Sequence, residues 1–468
     1  MSEYPMLIDG QLVAGAAELD VVNPATEDVF AKAPRADAAQ VEQAIAAAKK
    51  AFPAWSARSV ADRGAVLVAM ADAIEQHVEA IARVLTQEQG KPLGNAMHEV
   101  GGVAATWRRY AKTDLTPKLV EDSERRRIEI HRTPLGVVAA IIPWNFPVGL
   151  FASKVANALI TGNTVIAKPA ATTPLSTLMI GKVIADIVPA GVLNIVSDAN
   201  DLGGILTGHP DIRKISFTGS TATGRKVMEN SAASLKRVTL ELGGNDAAIV
   251  LDDADPARTA KGLFGGAFYN SGQVCLAVKR AYVHDSIYDR VVDELSDLAR
   301  AAVVGDGLQQ GTQFGPLQNR MQYDRVRELL DDAKQHGTVA AEGNTPEGPG
   351  YFIAPTIVRD ISDGTRLVDE EQFGPVLPVI RYTDVEDALE RANSSNYGLG
   401  GSVWSSDIAR AAGVAARLET GSAWVNTHMD LGPDVPFAGA KDSGIGVEHA
   451  EEGLFEFTQI HVVNVHKG

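Results

Sequence analysis

Two hydrophobic rhythms divide the chain, and the change from one to the other sets the expected architecture. In the first part, apolar residues recur every three or four positions. Val41, Ile45, Ala48 and Phe52 share a face of "ADAAQVEQAIAAAKKAF", where Asp37 stands as N-cap with Gln40 three positions on. Leu67, Met70, Ile74, Val78, Ile81 and Leu85 keep the same spacing and predict one strongly amphipathic helix. After residue 134 short apolar runs take over: "GVVAAII", "NTVIAK", "GVLNIVS", "KISFTG", "VTLELGG" and "AAIVLD". Helix-length segments over 150–160, 174–187 and 222–232 lie between them. Buried runs alternating with helices predict βαβ units and a parallel sheet covered on both faces. The same alternation resumes after Cys275, from "RAYVHD" to "GSVWS" and "GSAWVN", which predicts a second α/β domain.

Two segments fit neither rhythm. "KLVEDSERRRIEIHRTP" (118–134) alternates apolar and charged residues, and "FTQIHVVNVHKG" closes the chain. Both read as two-faced strands or arms, too isolated to be stable alone, so each is expected to pair with the other or with another subunit. Ligands of open α/β sheets bind beyond the carboxyl ends of the strands. Three polar or glycine-rich clusters fall at such ends: "PWNFP", "KPAATTP" and "TGSTATG".

Composition narrows the class. A chain of 468 residues with 45% hydrophobic residues can bury more than one core, and chains split into domains above roughly 250–300 residues. The formal net charge of −16 disfavours nucleic acid or an anionic membrane as partner. A single cysteine excludes an internal disulfide. The N-terminus has no basic segment followed by an apolar run, and no apolar stretch approaches the roughly 20 residues of a membrane span. A cytoplasmic location is expected.

That cysteine, Cys275 in "YNSGQVCLAV", is either a small buried hydrophobe or a nucleophile. A nucleophile needs a base, and Glu241 ends an apolar strand in "TLELGGND". It reads either as an ion-paired glutamate or as a general base whose partial burial raises its pKa. An oxyanion also needs a donor. Asn145 in "IIPWNFPV" lies between Pro143 and Pro147, which bring no backbone N–H, so its side-chain amide is the local donor. Capping of the following helix is the alternative use. In "SFTGSTATGRK", Gly219, Ser220 and Gly224 join a strand to a helix and could bring amides to a phosphate, or form a plain βα turn. Lys168 leaves its strand at Pro169, where it faces a ligand or solvent, and "EEQFGPVLPV" sets Glu371 and Phe373 in a tight turn. No HExxH, CxxC or clustered histidine pattern suggests a metal, and no GxSxG elbow occurs.

Taken together and in this order, "PWNFP", "FTGST.TG", "LELGGN", "GQ.C" and "EEQFGPV" resemble the aldehyde dehydrogenase superfamily over nearly the whole chain, as do the 34 residues from Glu241 to Cys275. The resemblance implies an α/β fold with a Rossmann-like dinucleotide-binding domain over 1–115 and 135–243. It further implies an α/β catalytic domain over 244–446 and a small β oligomerisation arm over 116–134 and 447–468, in a homodimer or homotetramer. By the same resemblance Cys275 attacks an aldehyde, Asn145 and the Cys275 amide hold the oxyanion, and NAD or NADP takes the hydride. Glu241 then activates water against the thioester, and its presence favours hydrolysis over transfer to coenzyme A. Lys154 matches a proton-relay lysine. Ser220 would touch the pyrophosphate, Lys168 the adenosine ribose and Glu371 the nicotinamide ribose, with Phe373, Pro143, Trp144, Gly219, Gly224 and Leu242 also on the cofactor side.

Departures from the family pattern bear on specificity. Ala171 replaces a glutamate that bonds the adenosine ribose in many NAD-preferring relatives. Loss of that carboxylate, with Lys168 as attraction, leads us to expect NADP to be accepted beside or ahead of NAD. Ser153, Val274, Leu276 and Leu431 are smaller than the side chains frequent at their positions, which suggests a mouth for aromatic or bulky aliphatic aldehydes unless other side chains compensate. Val447 and Glu448 stand where some semialdehyde-oxidising relatives carry arginine. A semialdehyde dehydrogenase is the alternative activity; a non-catalytic binding protein and a cofactor-free thiol esterase are the alternatives from other classes.

Overall fold

The apolar runs after residue 134 form the centre of an eight-stranded sheet in the computed structural model, which describes residues 3–468. From edge to edge the strands are Gln11–Val13, Met6–Ile8, Leu193–Ile195, Thr164–Lys168, Val137–Ile141, Ile212–Thr218, Arg237–Glu241 and Gly444–Ile445. Pairing is parallel from Leu193–Ile195 through Arg237–Glu241, and antiparallel at both edges. Every residue of Val137–Ile141 and Thr164–Lys168 is buried, which is why these runs are continuously apolar rather than alternating. The chain steps outward from Val137–Ile141 in both directions, so the crevice for a ligand opens where the ends of that strand, Thr164–Lys168 and Ile212–Thr218 meet.

The helix Ala38–Ser56 begins at Asp37, whose carboxylate accepts from the Gln40 backbone N–H while the Gln40 side chain accepts in return from Asp37 N–H. The single helix expected through Leu67 and Leu85 is instead two, Val60–Glu75 and Val78–Gln89. At the break the His77 ring donates from Nδ1 to the Ala73 carbonyl at 2.8 Å, standing in for a backbone donor of the next turn. Leu67, Met70, Ile74, Ile81 and Leu85 still face one core.

A second sheet of seven strands runs Thr338–Glu342, Thr356–Arg359, Val376–Tyr382, Val278–His284, Asp246–Val250, Gly400–Trp404 and Ser422–Val425. Only its Thr338–Glu342 edge is antiparallel. Lys118–Asp122, Arg126–Pro134 and Thr458–His466 pair with one another in a separate three-stranded antiparallel sheet. Between the second sheet and this arm the chain returns to the first sheet. Gly444 and Ile445 pair with Glu241 and Leu240, Leu454 and Phe457 join the first core, and Phe455 packs under Arg132 of the arm. Among the described residues no helix is long and apolar enough to cross a membrane.

Candidate active site

Cys275 sits between a short 3₁₀ turn, Tyr269–Gly272, and the strand Val278–His284. Asn270, Ser271 and Gly272 all have positive φ, at 51°, 55° and 74°. For two residues carrying a Cβ this is a costly conformation, of the kind that concentrates at functional loops. Gly272 is required on a second count, since a Cβ there would strike the Gly374 carbonyl. "GQVC" and "EEQFGPV", a hundred residues apart in the chain, are thereby locked together. Lys279, fully buried, fastens the same junction: its ammonium donates to the carbonyls of Val274 (2.9 Å) and Cys275 (2.6 Å) and lies 3.7 Å from the Glu371 carboxylate.

The Cys275 side chain is half-buried among Val274, Leu276 and Phe437, with Phe146, Met429 and Leu431 beside them. Burial pushes its thiol up to about 12, against the pull of the Lys279 ammonium and with a further push from the Glu241, Glu371 and Asp246 carboxylates. At neutral pH it rests as a protonated thiol and needs a base to take the proton as it attacks.

Glu241, at the end of its strand, is buried, and neither carboxylate oxygen has a hydrogen-bond partner among the described residues. Burial, and secondarily the Glu448 charge, raise its pKa well above the carboxylate range, with Lys154 pulling the other way. Glu448 behaves oppositely. Burial works against its charge, but the Lys154 ammonium, by charge and by hydrogen bond, holds it below the usual range. Lys154 also donates to Ser216 Oγ at 3.0 Å. The sequence reading does not mark Lys279, and it takes Glu448 only as a position bearing on substrate charge, not as the partner of Lys154. The strand that follows Cys275 carries Arg280 beside Lys279, so the local sequence does not single the lysine out.

Asn145 does not cap the following helix. The first turn of Pro147–Ile160 is capped by Glu99 from another helix, which accepts from the N–H groups of Val148 (3.0 Å) and Gly149 (2.9 Å). Asn145 points its amide into the thiol loop, donating to the Gln273 carbonyl at 3.0 Å. Its own carbonyl is gripped by Lys91 (2.9 Å) and Asn270 (3.2 Å), and Lys91 is ion-paired with Glu99. One amide hydrogen remains for an oxyanion.

On the other side of the crevice, Ser220 caps the helix Thr221–Ala232, accepting from Thr223 N–H at 3.3 Å, and leaves that helix's first amides facing the strand ends. A Cβ at Gly224 would run into Leu242, and one at Gly219 into the Phe217 ring, so both glycines permit the tight strand–helix junction. Trp144 meets Phe373 edge-on, ring centroids 5.3 Å apart. Glu371 accepts from Gly244 N–H at 3.0 Å, and a Cβ at Gly243 would strike its carboxylate. Pro143 and Ala171 are partly exposed at the rim. A cradle of amides, one carboxylate and one lysine at these strand ends fits the phosphates and riboses of a dinucleotide. Lys168, however, is not the free cation the sequence suggested. Its ammonium lies 2.5 Å from the Asp198 carboxylate, and both side chains are buried. The attraction invoked for a 2′-phosphate is largely spent within the protein.

Comparison with known proteins places the chain. The model of the aldehyde dehydrogenase family matches residues 12–463. Phenylacetaldehyde dehydrogenase of Pseudomonas fluorescens is 40% identical, covering 97% of this chain and 94% of its own length. The succinate-semialdehyde dehydrogenase (NADP(+)) GabD of Escherichia coli is 37% identical, covering 97% and 95%. An NAD+ complex of aldehyde dehydrogenase from Bacillus cereus superposes with a TM-score of 0.95 at 37% identity, covering 99% and 96%. The chain belongs to the aldehyde dehydrogenase family, and its class of reaction is that of an NAD(P)-dependent oxidoreductase.

Proposed function

We propose that this chain oxidises an aldehyde to a carboxylic acid through a covalent acyl group on Cys275. The observation that carries the reading is the buried Glu241 carboxyl without a hydrogen-bond partner, in electrostatic contact with a thiol whose neighbouring loop holds the Asn145 amide. The Cys275 sulfur bonds to the carbonyl carbon as its proton passes to the Glu241 carboxylate, which returns it outward before the next step. The carbonyl oxygen becomes an oxyanion stabilised by the Asn145 amide and the Cys275 N–H. A bound nicotinamide would supply the hydride acceptor that turns this adduct into a thioester. Glu241, as carboxylate, takes a proton from water, the hydroxyl adds to the thioester, and the sulfur leaves with the product acid released. Lys154 holds Glu448 charged beside Glu241 and relays the proton outward. Pro143, Trp144, Lys168, Gly219, Ser220, Gly224, Leu242, Glu371 and Phe373 hold the dinucleotide, with Ala171 at its adenosine end.

An apolar wall of Val274, Leu276, Phe437, Met429 and Leu431 supports a bulky aliphatic or aromatic aldehyde, as does the resemblance to a phenylacetaldehyde dehydrogenase. A cavity of about 530 Å³ opens against Val274, Leu276 and Leu431 and has room for a ring. Glu448, spent on Lys154, offers nothing to clamp a carboxylate-bearing semialdehyde. Leu119, Val120, Ile460, Val462 and Val465 are exposed on the arm and support assembly of a homodimer or homotetramer. Absorbance at 340 nm over a panel from short aliphatic to bulky aromatic aldehydes, with each dinucleotide, tests the reading. Cofactor-dependent turnover favouring phenylacetaldehyde-sized substrates is expected; silence across the panel would contradict it.

A further inference from the structure

The end of the Thr164–Lys168 strand is the second strand end counted from the centre of the crevice, where open α/β dinucleotide folds read the adenosine ribose. An acidic residue there favours a ribose with both hydroxyls free, and its absence opens the site to a 2′-phosphate. Position 171 is alanine, yet the site does contain a carboxylate. It comes from the loop after the neighbouring strand Leu193–Ile195: Asp198 Oδ1 lies 2.5 Å from Lys168 Nζ.

This loop is built to hold that carboxylate in place. Asp198 Oδ2 accepts from Leu202 N–H at 2.9 Å. Ser197 donates through its hydroxyl to the Pro34 carbonyl at 2.6 Å and accepts through its own carbonyl from Ala36 N–H at 2.9 Å. Asp201 accepts from Ala199 N–H at 3.1 Å and is paired with Arg35 at 2.6 Å. Asn200, at φ 64°, turns its side chain back so that Lys168 donates to Oδ1 at 3.2 Å. The hydrogen bond to Asn200 uses one ammonium hydrogen and the ion contact with Asp198 balances the charge, which leaves a hydrogen for a neutral acceptor. A ribose hydroxyl can take that hydrogen. A 2′-phosphate would bring up to two negative charges beside a buried carboxylate that already neutralises the lysine.

We propose that Asp198 selects NAD over NADP in this chain, supplying from the adjacent strand end the repulsion that Ala171 lacks. This rests on the dinucleotide-dependent reading above, and it reverses the cofactor preference expected from Ala171 and Lys168 alone.

The test compares wild type with Asp198→Asn and Asp198→Ala, measuring kcat/KM for both cofactors with one aldehyde, and Kd for each by fluorescence titration. The wild type is expected to favour NAD by at least about tenfold, and both variants to narrow that ratio by about tenfold or more, through tighter NADP binding. NAD affinity should change less than about threefold, because the Lys168 hydrogen bond to the ribose persists. A wild type that favours NADP overturns the proposal whether or not the variants fold. Folded variants with an unchanged ratio also overturn it. Failure of the wild type to bind either dinucleotide would instead sink the proposed function, and the selectivity claim with it.

Discussion

The two ends of the crevice treat buried charge in opposite ways. At the adenosine end, Lys168 and Asp198 balance each other's charge in an ion pair, and each is tied down by a hydrogen bond of its own, Lys168 to Asn200 and Asp198 Oδ2 from Leu202 N–H. At the thiol end, Glu241 is equally buried but has no hydrogen-bond partner among the described residues, and the nearby cation Lys154 is committed to Glu448. A carboxylate neutralised by its own lysine can only discriminate among ligands. An unsatisfied carboxyl has its pKa displaced and can take or give a proton near neutrality. The same element of chemistry, a carboxylate near a lysine, therefore serves binding at one end and proton transfer at the other, and the difference is set by who holds the lysine.

The contrast can be broken at several points. Removing the nucleophile should have the largest effect: Cys275→Ala is expected to lower kcat by about 10⁴-fold or more with any aldehyde, read from the 340 nm rate. Dinucleotide binding, by fluorescence, should survive. Asn145→Ala should lower kcat by roughly 10²–10³-fold with little change in KM, since its remaining amide hydrogen is needed only when the oxyanion forms. A change in both parameters alike would place Asn145 in substrate binding instead.

The pH dependence sharpens the comparison further. Glu241 acts as a carboxylate, and its raised pKa means that the active form is lost as pH falls through a value well above the usual carboxylate range. Single-turnover hydrolysis of the acyl-enzyme should therefore show an acid limb displaced upward. Glu448→Gln removes a charge that raises Glu241 and frees Lys154 to lower it, so the limb should move down by about one pH unit. Lys154→Met should move it up. Limbs that stay fixed in both variants would remove Glu241 from the role of base.

Much of this arrangement was legible in the chain because it is local. The positions of Asn145, Lys168, Ser220 and Glu241 at or just beyond strand ends follow from where apolar runs stop, and the two alternating arms pair as isolated two-faced strands must. What escaped was set by partners far along the chain. Glu448 reaches Lys154 across 294 positions, and no periodicity announces it. Asp198 lies 30 positions beyond Lys168 in an unremarked loop, and it changes what that lysine can do. The break after Glu75 escaped for a different reason: two helices in succession can present the same three-and-four spacing to one core, and the sequence between them has neither glycine nor proline. The return of Gly444 and Ile445 to the first sheet involves only two residues, too few to register as a strand pattern.

The most direct measurement is intact-protein and peptide mass spectrometry of Glu241→Gln after mixing with phenylacetaldehyde and NAD. Attack is slowed without this base but deacylation is slowed more, so an acyl group should accumulate on Cys275, with a burst of reduced cofactor approaching one per subunit and slow turnover afterwards. A variant that turns over at the wild-type rate, or one that makes the burst and carries no adduct on Cys275, would contradict the account.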